Sequence, residues 1–571
     1  MLLSFLSAPL FHINMPIPQH LTRLTLAVTL VCLTSCMVGP NYTVPKATVE
    51  AQWVERKAVS GKTYGSPEIF WWRSFNDPTL TRLVNLAYEN NLNLQSAGVR
   101  ILQARAELNR SIGNLFPQQQ GISAGLSYAY IPPSDGGTSS AGSTNPLVNA
   151  LAQNLGQKKP NLSIGPNLLT NQTLFSASWE IDFWGKFRRQ IEADKASYLS
   201  TVAAYDDALV TLIGDVASTY INIRTFQEEI AITNQNIVLQ TESLRIAQVQ
   251  FKEGQTSELD PSQANTQLLQ TQSELPSLES SLRQLKNSLA VLLGLAPNSI
   301  DALVKTGKIP QPPAKITAGI PKDLLRRRPD VRQAGLNAAS KSALVGVQVA
   351  NLLPAFSLSG SFGFSSSNIG DQKLSDIFNW QNVIANTGSG VAMPVLNYGR
   401  LINQVRQQDA SFQSAILAYQ NTVLTAQKEV ENGLTQFYQG RASMAYLEAA
   451  VKSAKLTTSL ALARYKAGQT DYTTVLTAQQ SQLSVELSYA NAQSATVTGV
   501  VNAYRSLGGG WQLREGHDVI SDAVKKQMAD RTNWGKMLQP QNHLPISSPE
   551  DRPADSVPKH APIGKLLNVN Q

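Results

Sequence analysis

Two adjacent carboxylate pairs, Asp206-Asp207 and Glu228-Glu229, are the residues of this chain whose type and spacing first invite a catalytic reading. Neighbours in sequence point in different directions on a helix, so neither pair converges on one substrate atom, and solvated helix faces account for them better. The general base used most often is missing from the body: His12, His20, His517, His543 and His560 all lie in the leader or the C-terminal tail. Histidine-dependent catalysis and His-ligated metal sites are therefore not expected between Cys36 and Trp511. No G-x-x-x-x-G-K-[ST], H-E-x-x-H or G-x-S-x-G occurs either, so neither an enzymatic role nor a cofactor or metal is expected. Arg326-Arg327-Arg328 forms a basic triplet, but a solvated or internally paired helix start explains it more simply than a ligand site. The net charge of +8 is spread along helical segments, which argues against a nucleic-acid surface.

Cysteine chemistry is more telling. Arg23 and the apolar run Leu24 to Leu33 precede Leu33-Thr34-Ser35-Cys36, an export signal whose apolar core is shorter than the roughly 20 residues a membrane-spanning helix needs. The start lies at Met1 or at Met15. Ser35-Cys36 resembles the lipobox of bacterial lipoproteins, in which the cysteine becomes the acylated first residue of the mature chain. Cys32 lies in the discarded run, so no disulfide forms within the mature chain. Met37, rather than Asp, follows Cys36, which resembles lipoproteins sorted to the outer membrane.

The elements that follow are duplicated. Gly185, Gly254 and Gly294 return as Gly399, Gly468 and Gly508, each 214 positions later, while Leu115-Phe116-Pro117 returns as Leu352-Leu353-Pro354 at an offset of 237. Each half contains two segments of strict alternation. Ile122, Ala124, Leu126, Tyr128 and Tyr130 alternate with Ser123, Gly125, Ser127 and Ala129, and Phe175, Ala177, Trp179, Ile181 and Phe183 with Ser176, Ser178, Glu180 and Asp182. Phe356, Leu358, Phe362 and Phe364 repeat the pattern, followed by a weaker strand near Thr387 to Val395. About ten residues with one apolar face suit a transmembrane β-strand, although an edge of a soluble sandwich alternates in the same way. Four strands cannot close a barrel, and open edges in lipid leave backbone groups unpaired. Three copies, giving twelve strands, leave room for a channel.

No proline interrupts Lys186 to Asp260 or Val395 to Gln539. Such spans, rich in Ala, Leu, Gln and Ser, predict rods that reverse at Gly254 and Gly468 and return as Pro261 to Leu293, with a kink at Pro276, and Tyr472 to Leu507. Asp77-Pro78 and Pro329-Asp330 read as helix starts.

With these parts placed, Trp71-Trp72-x-x-Phe75-x-Asp77-Pro78-x-Leu80, Leu324-x-x-Arg327-Arg328-Pro329-Asp330-Val331-x-x-Ala334 and Arg464-Tyr465-x-x-Gly468 resemble the motifs of the TolC-like outer-membrane efflux proteins (outer-membrane factors), specifically the lipoprotein, NodT-type branch. The resemblance implies an α+β membrane protein: a homotrimeric 12-stranded β-barrel, four strands per chain, continuous with a 12-helix periplasmic α-barrel. It also implies outer-membrane lipid around the barrel, a periplasmic adaptor and an inner-membrane pump of the resistance-nodulation-division (RND) type, with passive conduction of drugs or small molecules. The adaptor would meet the tips at Lys252, Gly254, Gln255, Lys466, Gly468, Gln469 and Thr470. A periplasmic aperture would be lined by Asp471, Tyr472, Thr473, Thr477 and Gln480. Thr477 stands where relatives commonly carry an acid, leaving Asp471 either to supply that charge or to cap its helix. A type I protein-secretion duct and a pore-free lipid-anchored scaffold are the competing readings.

The resulting plan assigns 1–35 to the signal peptide, 36–70 to a lipid-anchored segment and 71–296 to the first repeat. That repeat has strands near 119–131 and 173–184 and long helices over 185–295. A linker spans 297–320, and the second repeat 321–511 has strands near 355–365 and 386–396 and helices over 399–508. Residues 512–571 form a polar, proline-containing tail, expected to be largely disordered.

Overall fold

Alternating strand segments and proline-free helical ones sort into two units in the computed structural model, which describes residues 37–55, 69–130, 167–316, 327–368 and 374–544. The segment expected to be a signal peptide, Cys36 and the last part of the tail lie outside the described residues. One unit draws on residues up to Asn41, Asn109–Ala193 and Lys341–Ala410; the other on Tyr42–Leu108, Asp194–Ser340 and from Ser411 onward.

The first unit is built on β1 (Gln119–Tyr130), β2 (Asn167–Ile181), β3 (Ala355–Ser367) and β4 (Val383–Ala392), all antiparallel in the order β1-β2-β3-β4. The register places the alternating sets on one face: Ile122 opposes Phe175, which opposes Phe362, which opposes Ala385. Trp179, Leu358 and Ser389 form a second row. Ser178, Ser359 and Gly388 line the other face. The apolar face is uncovered, with Ile122 79% and Val391 66% exposed.

Strand ends differ from expectation for local reasons. β2 begins at Asn167 rather than near 173, because Asn167 to Gln172 keep pairing with β1 up to Tyr130. β2 stops at Ile181 because Asp182 turns to the next helix: its carboxylate accepts from the amides of Phe187 and Arg188, each at 3.0 Å. β4 runs over 383–392, not 386–396, and the ladder ends before Pro394, which has no amide to donate.

The helices follow the repeat closely. α1 (Pro78–Asn90) starts at an Asp77 cap that accepts from Thr79 and Leu80 at 2.8 and 3.2 Å. α2 (Leu92–Gly113) and α5 (Pro329–Ala350) are both 22 residues long. α3 (Lys186–Lys252) and α6 (Arg400–Lys466) are both 67 residues, about 100 Å at the α-helical rise. The return helices are α4 (Leu259–Leu292), continuous through Pro276, and α7 (Tyr472–Ser506). Among the described residues no helix is long and apolar enough to cross a membrane.

In the second unit the motif aromatics Trp71, Trp72 and Phe75 are core, with Trp71 stacked on Tyr504 at 5.9 Å. Asp77 also accepts from Tyr220 Oη at 2.6 Å. Three expectations need correction here. Asp206 is fully buried rather than solvated, paired with Arg332 and with Arg514 Nη2 at 3.1 Å. Glu229 is buried too, and burial pushes its carboxyl above the usual range. The tail is ordered through Leu544: Val519, Ile520 and Met528, on or just before α8 (Asp522–Arg531), are buried, and His543 Nε2 meets Asp518 at 3.0 Å. These buried apolar residues are too few for a composition argument to detect. Arg328 is internally paired, with Asp330 and Glu429 at 2.7 and 2.8 Å.

Candidate functional site: the paired helix tips

The ends of α3 and α6 are built alike. Gly254 and Gly468 adopt φ of +72° and +66°, where a side chain is strained. Gly254 N donates to Phe251 O at 3.0 Å and Gln255 N to Gln250 O at 2.9 Å; Gly468 and Gln469 donate to Tyr465 and Arg464 at the same distances. These paired bonds are the Schellman end that satisfies the last helical carbonyls. A Cβ at either glycine would meet nothing within 4 Å, so the tips are open.

Lys252, Gly254, Gln255, Lys466, Gly468 and Gln469 are exposed and Thr470 is half-buried. Asp471 caps α7, its Oδ1 accepting from Thr474 N at 3.0 Å and Thr474 Oγ1 at 2.8 Å. Those hydrogen bonds hold its carboxyl below the usual range. Thr473, Thr477 and Gln480 are also exposed, with Gln480 Nε2 donating to Gln267 Oε1 at 2.7 Å. Tyr472 is placed differently from its neighbours. It is buried, edge-on to Tyr465 at 5.3 Å, in a cluster with Ile246, Ala247, Ala264, Ala461, Val475 and Ala478.

That cluster ties the two hairpins together through groups the sequence reading missed. Tyr465 Oη donates to Asp260 Oδ2 at 2.9 Å, and Gln250 Nε2 donates to Tyr465 O at 2.9 Å. Burial, with Asp260 adding to it, raises the Tyr465 hydroxyl; burial then Asp260 pushes Tyr472 up to about 12. Further from the tip, Gln479 Nε2 donates to Ser243 Oγ at 2.6 Å and Asn236 Nδ2 to Glu486 Oε2 at 2.8 Å, with Lys455 at 3.0 Å from Glu486. Glu486 is 5% exposed. Asn236, Ser243 and Gln250 recur every seven residues, the signal that could have revealed a polar seam. No group of three or more His, Cys, Asp or Glu that could hold a metal occurs among the described residues.

The chain thus combines a four-stranded sheet with a bare apolar face and two long helical hairpins joined at open tips. The chain belongs to the outer membrane efflux protein family, whose profile matches residues 83–295 and 320–509. It is 30% identical over 481 residues to nodulation protein T of Rhizobium leguminosarum bv. viciae, covering 83% of this chain and 90% of that protein. It is 28% identical over 499 residues to the pyoverdine export outer membrane protein OpmQ of Pseudomonas putida, covering 87% and 99%. Among solved structures, the outer-membrane channel OprN superposes with a TM-score of 0.73 at 28% identity, over 84% of this chain and all of that one. The Campylobacter jejuni CmeC outer membrane channel gives 0.72 at 23% identity, over 87% and 99%, a likeness of fold. The protein is therefore an outer-membrane efflux component.

Proposed function

We propose that three copies of this chain form the exit duct of a tripartite efflux system. Its three four-stranded sheets close into a twelve-stranded barrel, and its helices into a twelve-helix periplasmic tunnel. Drugs or other small molecules reach it from an inner-membrane pump of the RND type through a periplasmic adaptor. The observation that carries this is the sheet: one face is uncovered and apolar, and β1 and β4 each keep an unpaired edge. In lipid such edges are costly, and only closure with further copies pairs them.

The adaptor meets Lys252, Gly254, Gln255, Lys466, Gly468, Gln469 and Thr470. The aperture is lined by Asp471, Thr473, Thr477 and Gln480, with buried Tyr472 bracing them from behind. No step needs a cofactor, because the duct is passive and energy enters at the pump. Acylation of Cys36 adds a tether to the outer membrane.

The test is reconstitution of the mature protein in planar bilayers with single-channel recording. Discrete, long-lived channels from a detergent-resistant trimer are expected. Silence from both the native chain and a Tyr465→Phe variant, in which the tip contact to Asp260 is lost, refutes the duct and leaves a pore-free scaffold.

A further inference from the structure

The segment that follows Cys36 is held by a socket that core packing does not require. Arg189 is 1% exposed, yet its guanidinium is spent on that segment: Nε donates to Val38 O at 3.0 Å, and Nη2 to Gly39 O at 3.2 Å and Asn41 Oδ1 at 2.8 Å. Nη1 donates to Glu192 at 2.7 Å. A buried guanidinium with five hydrogens to satisfy is stable only when such acceptors are present.

Two glycines make the close approach feasible. Gly39 has a φ of +90°, and a Cβ there would lie 2.3 Å from Gly346 Cα; a Cβ on Gly346 would lie 2.8 Å from Val38 O and 3.0 Å from Arg189 Cδ. Val38 N then donates to Trp184 O at 3.1 Å, and Met37 sits so close to Gly185 that a Cβ there would be 2.4 Å from Met37 Cγ.

These contacts fix where the chain leaves the protein. Met37 is seated just past the end of β2, beside an aromatic group in which Phe183 packs against Trp184 at 4.8 Å and Phe356 at 5.1 Å. Aromatic side chains of this kind mark the boundary between the apolar band of a membrane barrel and water. An acyl chain on the residue before Met37 thus departs at the level where the apolar sheet face ends.

We infer that Arg189 is a positioning residue for the lipid anchor: with Gly39 and Gly346 it seats the mature N-terminus against Trp184, so that the acyl chains and the strands enter one leaflet at one height. This rests on acylation of Cys36. Tether and barrel then act as one insertion surface, because a chain fixed at that point is held at high local concentration beside the strands.

The full chain is produced in cells supplied with a photoreactive palmitate analogue, isolated in membranes and irradiated. In the native protein, adducts are expected on the tryptic peptide ending at Lys186. With Arg189→Met, which removes all three hydrogen bonds to the segment, acyl incorporation into the chain is expected to stay constant while adducts on that peptide fall at least about tenfold, the scale of a single charge-assisted hydrogen bond. Gly346→Ala, which keeps the arginine and pushes Val38 out of the socket, should give the same loss, and decides the matter where Arg189→Met does not assemble. An adduct pattern unchanged in the variants, or native adducts scattered over the chain, overturns the inference. Absence of acyl label from the native protein instead removes the lipidation on which it rests.

Discussion

Replacing Tyr465 by Phe removes one oxygen from the tip and leaves the ring that packs on Tyr472. The lost contact is the 2.9 Å hydrogen bond from Tyr465 Oη to Asp260 Oδ2, which joins the end of α6 to the start of α4. Hydrogen bonds to charged groups contribute about 1.5 to 3 kcal/mol when buried. Tyr465 is 1% exposed, but Asp260 is only half-buried, so water replaces part of the interaction and the low end applies. About 1.5 kcal/mol per chain corresponds to roughly a tenfold change in the equilibrium between joined and parted hairpins. Single-channel recording should show a rise of that order in open probability, with the conductance of the open level unchanged. The alkaline limit follows from the same pair of rings. Tyr472 has its hydroxyl raised from 10.0 to about 12, so the neutral form favours the folded tip. That contribution is complete below pH 10 and is lost as pH rises toward about 12. The native channel should open progressively over that window. Open probability in Tyr465→Phe equal to the native value, with the trimer intact, would show that this contact does not hold the tip.

Gly468→Val should cost about 1 to 2 kcal/mol at the tip through its positive φ, and is expected to abolish crosslinking to the adaptor while the trimer survives; retained crosslinking would exclude this turn from the docking surface. Asp471→Asn keeps an acceptor for Thr474 and removes the charge, whereas Asp471→Ala loses both. Cation selectivity should fall in each, and unchanged selectivity would assign Asp471 to capping alone. Asp207 is raised from 3.8 to about 6 by burial, then by Asp330. Its contribution is present below about pH 4 and is lost as pH rises through 6, so Asp207→Asn should stabilise the protein at pH 7 by about 1 to 2 kcal/mol after allowing for partial solvent screening. Melting curves of native and variant protein between pH 4 and 8 should converge at the acid end, and parallel curves would count against it. Arg514→Met leaves buried Asp206 with Arg332 alone and should cost about 3 kcal/mol; an unchanged melting temperature would mean the tail does not brace the body.

Periodicity carried most of the fold. The 214-residue offset of three glycines anticipated two helices of equal length and their ends, because a positive φ leaves few residues to choose from. Alternation likewise assigned the right residues to the apolar face. Strand ends were less legible, since the end of β2 depends on whether the Asp182 carboxylate serves a helix, and alternation is blind to that. The candidate site was half visible. Exposed tip residues follow from the turns, but burial of Tyr472 depends on Tyr465 and Ile246 arriving from other helices. Asp206 failed for the same reason: its partners Arg332 and Arg514 lie more than a hundred residues away.

The contact between α3 and α7 changes character along its length, and this bears on which end can part. Near the base, Leu209, Ile213, Val216, Ala217 and Ile221 are buried on α3, and Val497, Val500, Val501 and Tyr504 on α7. Toward the tip buried polar residues join the apolar ones: Thr233, Asn236, Gln240, Ser243 and Gln250 accompany Ile246 and Ala247 on one helix, and Gln479, Gln482 and Glu486 accompany Val475, Ala478 and Leu483 on the other. Parting apolar surfaces loses about 25 cal/mol for each Å² exposed, with no compensation from water. Parting hydrogen-bonded amides exchanges each bond for one to water, a net loss of only about 0.5 to 1.5 kcal/mol. The same two helices are thus joined less firmly toward the tip than near the base. The duct proposed above, staying assembled while its tip opens, needs that asymmetry, and the sequence supplies it by setting Asn236, Ser243 and Gln250 at seven-residue spacing among the apolar residues of the seam.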